Sequence, residues 1–140
     1  ISDAVLPFEP VFFEAGLTLA VDIQPGLTVR GSHQHLRQTV DILLDNARKY
    51  AAPSGEISVT LTRCGGRCRL TVSNPGPEIS KADLQNIFKR YYRAEEAHTQ
   101  QGSYGLGLSI ARNIILRHRG RIWAESKNGR NTFFVELPVK

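Results

Sequence analysis

The chain has 140 residues, a mass of 15.6 kDa and a formal net charge of +5, and this length suffices for one domain with its own hydrophobic core. With 41% hydrophobic and 22% charged residues, the composition excludes a disordered chain, and no apolar run approaches the ~20 residues of a membrane-spanning helix. The chain begins at Ile1 and contains no methionine, so we expect residues 1–140 to be one domain of a longer protein.

The first third of the chain predicts a strand and a long amphipathic helix. Residues 6–16 are apolar, contain two prolines and are compatible with one short helix. Residues 17–23 (LTLAVDI) alternate apolar and polar residues, which predicts a half-buried strand. Turn signals and room for a short strand follow at 24–32. Apolar residues then recur at helical spacing over 35–51, which predicts a helix packed on the core.

The next segment predicts a β-hairpin. Residues 56–73 alternate in polarity on both sides of a Gly-Gly turn at 65–66, a strong signal for a two-residue loop. With that turn Cys64 faces Arg67, and Cys64 and Cys68 point to opposite faces of the sheet. We therefore expect reduced thiols and no disulfide or metal site at the cysteines.

The second half of the chain predicts two more helices and a closing hairpin. After the turn VSNPGPEI at 72–79, Ser80 is the predicted N-cap of a helix over 81–92. A polar, glycine-containing loop follows at 93–105, and a third helix at 106–120 is closed by its last residue, a glycine. The chain ends in the strands RIWAES and NTFFVELPV, joined by KNGR.

This order of elements, β-α-ββ-α-loop-α-ββ, favours an α+β fold over a doubly wound parallel sheet, because only hairpin pairings are clear. We expect a two-layer sandwich. Its mixed, mostly antiparallel sheet would have about five strands, with three helices on one face.

Two groups of residues suggest phosphate chemistry. Asn46 and Lys49 lie within about 60° of each other on the first long helix, where an amide oxygen can bind Mg²⁺ and an ammonium group can meet a phosphate. Gly102, Gly105 and Gly107 open the third helix, where backbone N–H groups attract anions. From these residues alone, a solvated helix flank and an ordinary glycine-rich loop are the alternatives.

Other functional classes find less support in the residues. None of the four histidines has an adjacent carboxylate, so we assign them to surface or capping roles. Tyr91 and Tyr92 lie among basic residues, but no nucleic-acid-reading motif is present. We therefore expect no nucleic-acid partner.

Taken in order, several segments resemble the ATP-binding catalytic domain of sensor histidine kinases, a Bergerat-type ATPase fold shared with DNA gyrase. LRQTVDILLDNARKYA resembles the family's N box, VSNPGPEI its first glycine box, IFKRYYRAE its F box and GSYGLGLSIA its second glycine box. The segment HRGRIWAES and the strand NTFFVELP resemble its closing hairpin. The resemblance covers nearly the whole chain.

The resemblance implies a set of residues around ATP and Mg²⁺. Asn46 would bind the Mg²⁺ that bridges the phosphates, Lys49 and Arg93 would contact phosphate oxygens, and these three are the implied catalytic residues. Residues 94–104 would form a lid over the nucleotide. The other implied nucleotide contacts are Tyr50, Asn74, Gly76, Ile79, Tyr104, Gly105, Leu106, Gly107, Leu108 and, through water on the adenine side, Thr132.

The sequence departs from the family's pattern at four positions: Ile42, Asn74, Glu78 and Ser103. Asn74 stands where the family has the aspartate that accepts the adenine amino group. An amide oxygen can accept the same hydrogen bond without charge assistance, so we expect adenine selectivity with up to roughly tenfold weaker affinity. On this reasoning Asn74→Asp should tighten ATP binding or leave it level.

The resemblance also implies an activity and partners. Such a domain acts as a protein histidine kinase, presenting Mg·ATP to a phosphoacceptor histidine on a separate helical dimerisation domain, from which the phosphoryl group passes to the receiver domain of a response regulator. We expect this chain to be a monomer that binds Mg·ATP but cannot phosphorylate itself. Its parent would be a homodimer anchored in the bacterial membrane, with this domain in the cytoplasm.

Two alternatives remain open at this point. An anti-sigma-factor serine kinase is also a single short domain of this fold, although its N box ends differently. A degenerate module that acts through protein contacts would account for Asn74 and Glu78.

Overall fold

Five strands form one mixed sheet in the computed structural model, which describes residues 8–89 and 107–140. The elements in chain order are α1 (Phe8–Glu14), β1 (Thr18–Ile23), α2 (His33–Tyr50), β2 (Glu56–Cys64), β3 (Arg67–Pro75), α3 (Lys81–Asn86), α4 (Gly107–Arg117), β4 (Arg121–Lys127) and β5 (Arg130–Pro138). The strand order is β1-β2-β3-β5-β4, with β1 parallel to β2 and the other pairs antiparallel. The predicted α+β fold with a mixed five-stranded sheet is confirmed, and the described chain has four helices.

The β2–β3 hairpin has the predicted register. Cys64 lies opposite Arg67, and Leu61 lies opposite Leu70. Cys64 is exposed, Cys68 is buried, and neither forms a disulfide. Burial raises the pKa of the Cys68 thiol, which keeps it in its neutral form.

The two faces of the sheet differ in polarity. One face packs on the helices, and the buried apolar cluster there consists of Phe12, Leu17, Val40, Leu43, Leu44, Ala47, Ile57, Val59, Leu70, Val72, Ile115, Phe133 and Val135. The other face carries polar pairs, such as the bonded hydroxyls of Thr60 and Thr71. Because side chains alternate along a strand, each position of β3 and β5 belongs to one face only.

A buried carboxylate, Glu136, organises the polar face near one end of β5. Its side chain is 3% exposed and is paired with Arg69 at 2.6 Å and with Arg121. The hydrogen bonds from Arg121 and Arg69 hold the pKa of Glu136 below its ordinary value. Beside this cluster the Trp123 and Phe134 rings stack with centroids 5.0 Å apart. Ion pairs and ring stacking therefore both hold β3, β4 and β5 together at this end of the sheet.

A histidine joins the start of α2 to the end of α4. His118 Nδ1 lies 2.7 Å from the Ile114 carbonyl oxygen, and the Ser32 N–H donates to His118 Nε2 at 3.0 Å. The ring occupies the space beside Gly31, where a Cβ atom would lie 2.1 Å from His118 Cδ2. His118 therefore has one of the two roles, surface or capping, that the sequence predicted for the histidines, and its ring needs a glycine opposite.

Three local predictions are corrected. Residues 24–32 contain no strand, and the helix that Ser80 caps ends at Asn86 rather than at residue 92. At the end of α4 the left-handed residue is Arg119, at φ 62°. Gly120 is needed for a different reason, since a Cβ there would lie 2.4 Å from the Glu136 carbonyl oxygen. None of the helices in the described ranges is long and apolar enough to cross a bilayer.

Candidate functional site

The C-terminal end of α2 meets the end of β3, where the segment VSNPGPEI begins its turn. The Ala52 N–H donates to the Pro75 carbonyl at 2.8 Å. The Tyr50 carbonyl lies 3.4 Å from Asn74 Nδ2. Tyr50 and Asn74, which the sequence placed on opposite sides of a hairpin, are thus neighbours.

Asn74 is the most buried polar residue of this region, at 2% exposure. Its Nδ2 donates to the carbonyls of Pro75, at 2.9 Å, and of Tyr50. Only an amide nitrogen can face two carbonyl oxygens favourably, so this contact determines how the amide is oriented. Its Oδ1 accepts no hydrogen bond from the part of the chain that the structure describes, which leaves an acceptor for another group.

This orientation changes the expectation for Asn74→Asp. A carboxylate has no donor, so it would place negative oxygens against the Tyr50 and Pro75 carbonyls. The surroundings of position 74 therefore suit an amide better than a carboxylate. We accordingly expect Asn74→Asp to weaken ATP binding rather than to tighten it or leave it level.

The turn after Asn74 is bonded to the tip of the β4–β5 hairpin, which we define as residues 126–131. Gly76 N–H donates to the Gly129 carbonyl at 3.1 Å, and Ile79 N–H donates to Ser126 Oγ at 2.8 Å. A Cβ atom on Gly76 would lie 3.0 Å from the Tyr50 carbonyl oxygen. A glycine fits at position 76 because the turn is pressed between α2 and this hairpin tip.

Asn131 lies beside Asn74 and was missed by the sequence reasoning. It is 5% exposed, lies opposite Asn74 in the β3–β5 register, and donates from Nδ2 to the Pro77 carbonyl at 3.0 Å. Thr132 points to the other face of β5, where its hydroxyl bonds Ser73 Oγ at 3.1 Å. Asn131, rather than Thr132, therefore lies on the face of the sheet that carries Asn74.

The flank of α2 carries the two residues proposed for metal and phosphate. Asn46 is half-buried, and its amide makes no hydrogen bond within the described ranges. Lys49 Nζ pairs with Asp45 Oδ2 at 3.2 Å, and Asp45 Oδ1 also pairs with Arg48 at 2.8 Å. Partial burial raises the pKa of Asp45, but the bonds from Arg48 and Lys49 outweigh it and lower that pKa overall. Asp45 thus holds the ammonium group at the flank.

The start of α4 lies against α2 one turn before Asn46. Gly107 is exposed, and a Cβ atom there would lie 3.4 Å from Ile42 Cγ2. Leu108 packs partly buried against the core. The other residues that the sequence assigned to this side lie outside the described residues: Arg93, Tyr104, Gly105, Leu106 and the lid at 94–104.

The donor groups of this site fit a Mg²⁺ ion that is held mainly by phosphates and water. Among the residues that the structure describes, no group of three or more His, Cys, Asp or Glu side chains could hold a metal by itself. Mg²⁺ keeps several waters and commonly takes only one or two protein oxygens beside substrate phosphates. The uncommitted amide oxygen of Asn46 suits that role.

Residues 31–140 match the family model of histidine kinase-, DNA gyrase B- and HSP90-like ATPases. The chain is 34% identical over 137 residues to the sensor protein DltS of Streptococcus agalactiae serotype III (strain NEM316). That alignment covers 98% of this chain and 35% of the relative, so the chain spans about a third of the relative's length.

Solved structures show the same likeness in three dimensions. The catalytic domain of histidine kinase ThkA superposes with a TM-score of 0.87 at 27% identity, over 98% of this chain and 88% of that chain. ThkA in complex with the response regulator protein TrrA gives a TM-score of 0.84 at 25% identity, over 99% of this chain and 39% of that chain. The likeness extends over nearly all of this sequence.

Proposed function

This chain belongs to the histidine kinase-, DNA gyrase B- and HSP90-like ATPases, and we propose that it positions Mg·ATP for phosphoryl transfer to a histidine on a separate helical domain. Its relatives and structural neighbours make it the ATP-binding catalytic domain of a sensor histidine kinase. We propose the residues that hold the nucleotide and the ion from their contacts and burial.

The observation that carries the proposal is the free acceptor oxygen of buried Asn74, at the same end of α2 as Asn46. An uncommitted acceptor in a buried position suits the donor amino group of adenine and disfavours guanine, which presents an acceptor there. Ile79 is half-buried in the turn that follows Asn74 and would offer an apolar contact for the base. Tyr50, at the last position of α2, would line the same side.

On the phosphate side, Asn46 would hold Mg²⁺, which neutralises the phosphate charges when bound. Lys49 would approach the phosphates from its pair with Asp45, which keeps the ammonium group extended along the helix flank. Backbone N–H groups at Gly107 and Leu108 begin α4, and a helix start favours anions. Arg93, Tyr104, Gly105 and Leu106 complete the proposed set.

We also propose the partners that the resemblance implied. The phosphoryl group would pass to a histidine of a dimerisation domain and then to an aspartate of a response regulator receiver domain, in a homodimeric, membrane-anchored parent with this domain in the cytoplasm. ThkA has been solved with a response regulator, which supports that kind of partner. A serine kinase or a degenerate nucleotide-binding module that acts through protein contacts is not favoured, because the relative and the solved structures are sensor proteins and histidine kinases by name.

Calorimetry tests the nucleotide proposal on the 140-residue chain. A non-hydrolysable ATP analogue should give saturable heat that is larger with Mg²⁺ than with a chelator. Absence of heat at millimolar nucleotide would overturn the proposal. To test transfer, the chain is mixed with radiolabelled ATP and a helical phosphoacceptor domain. Acid-labile label on that domain supports histidine transfer, whereas acid-stable label indicates a serine kinase.

A further inference from the structure

The turn from Pro75 to Ile79 depends on groups outside itself. Pro75 and Pro77 have no N–H group, so only three N–H groups remain in this segment. Two of them, from Gly76 and Ile79, are donated to the hairpin tip 126–131. The position of the turn is therefore decided largely by that tip.

Ser126 and Asn131 form a relay between two points of the turn. The Ser126 hydroxyl accepts from the Ile79 N–H and donates to Asn131 Oδ1. Asn131 Nδ2 then donates to the Pro77 carbonyl at 3.0 Å. Three hydrogen bonds make up this relay, and Asn131 is almost fully buried, so breaking one of them leaves a polar group without that partner.

The relay lies directly behind the proposed base contacts. A Cβ atom on Gly76 would be 3.3 Å both from Asn131 Nδ2 and from Asn74 Nδ2, so the two amides flank the same glycine. Movement of the hairpin tip would displace Gly76 and Ile79 relative to Asn74. The distance between the acceptor oxygen of Asn74 and the apolar side chain of Ile79 thus depends on Ser126 and Asn131.

We propose that Ser126 and Asn131 are positioning residues for recognition of the purine base, and that they act by holding the turn 76–79 against Asn74. This inference rests on the proposed nucleotide function. It assigns base selectivity to the β4–β5 hairpin, whose side chains need not touch the nucleotide. It also separates base recognition from the phosphate side, which lies on α2 and α4.

The test compares ATP and GTP analogues in calorimetry, using the ratio of their Kd values as the readout. Ser126→Ala breaks both bonds of the hydroxyl, and we expect the selectivity for ATP over GTP to fall about three- to tenfold, the effect of one hydrogen bond of about 1 kcal/mol. Ser126→Thr keeps the hydroxyl, so its ratio of Kd values should equal that of the unmodified chain. Thr60→Ala, which loses a hydroxyl pair on the other face of the sheet, is the matched control and should leave the ratio unchanged.

The possible outcomes separate this inference from the proposed function. If the unmodified chain binds neither nucleotide, the proposed function fails. If it selects ATP and Ser126→Ala selects ATP equally well, the positioning role fails while the function stands. A merely structural serine would lower the unfolding temperature and leave the ratio unchanged, so both are measured. Adding Asn131→Ala to Ser126→Ala also removes the donation to the Pro77 carbonyl and should lower the ratio further; an unchanged ratio would exclude Asn131 from the positioning role.

Discussion

Asn74→Asp is the sharpest test of how the base side of the site is built. The substitution is nearly isosteric, but it removes two donations from Nδ2, to the carbonyls of Pro75 and Tyr50. Each bond contributes about 1 kcal/mol, and a buried charge without a partner costs several more. The carboxyl group would lower this cost by taking up a proton, which restores one donor. We therefore expect a loss of about 2–4 kcal/mol in the free energy of unfolding at pH 7.

The pH dependence of that loss follows from the sign of the shift. Burial beside two carbonyls would raise the pKa of the new aspartate in the folded state above its ordinary value near 4. The loss in free energy of unfolding should therefore be smallest below about pH 4, where the new carboxyl group is protonated in both the folded and the unfolded state. It should grow as the pH rises through the folded-state pKa of that group. Urea unfolding at several pH values measures this.

The control is Asn86→Asp, which removes a similar donation, from Nδ2 to the Ala82 carbonyl at 2.8 Å, but at an exposed site. It should cost less than about 1 kcal/mol at any pH. Calorimetry on the Asn74→Asp variant should show ATP binding weakened by at least about tenfold. If that variant is as stable as the unmodified chain and binds ATP more tightly, the assignment of the amide orientation is refuted.

Three further predictions concern other parts of the molecule. Asn46→Ala should remove the Mg²⁺-dependent part of ATP binding and leave the unfolding midpoint unchanged, whereas the control Asn113→Ala, at an exposed position of α4, should change neither; equal affinities of Asn46→Ala and the unmodified chain in calorimetry would mean that Asn46 is only solvated. Gly31→Ala should destabilise the fold by about 2 kcal/mol or more through its clash with His118 and through its φ of 158°, and thermal unfolding should show only the clash part of that cost removed in a His118→Ala background; additive costs would exclude the clash. Glu136→Gln should cost about 1–3 kcal/mol at pH 7, and because the folded pKa is lowered, urea unfolding should show the difference disappearing as the pH falls below about 4; a constant difference would contradict the ion pairs.

The hairpin register shows what local pattern can predict. A two-residue turn and a strict alternation of polarity leave one pairing for β2 and β3, and that pairing is observed. In β5, by contrast, two phenylalanines stand side by side at 133 and 134, so alternation does not decide which face Thr132 occupies. The Asn-Gly signal at 128–129 would have paired Ser126 with Asn131, but only the β3–β5 pairing brings Asn131 to Asn74.

Contacts with the backbone of distant segments were beyond sequence reasoning. The carbonyls that orient Asn74 belong to its own turn and to α2, and nothing in the residue types reveals that they converge. Gly120 is a similar case, because a glycine at a helix end usually indicates a left-handed residue. Here the left-handed residue is Arg119, and the glycine makes room for the carbonyl of Glu136.

The bonds between the hairpin tip and the turn 76–79 also have a consequence for the order of folding. Ser126 and Asn131 follow Ile79 by about fifty positions in the chain, and β3 needs β5 to pair its second edge. While the chain is being synthesised, α2 and the β2–β3 hairpin can form early from local contacts, but the turn stays unsupported until β4 and β5 have emerged and docked. Non-local pairing of this kind is slow, so the competence to recognise a base would be acquired late in folding.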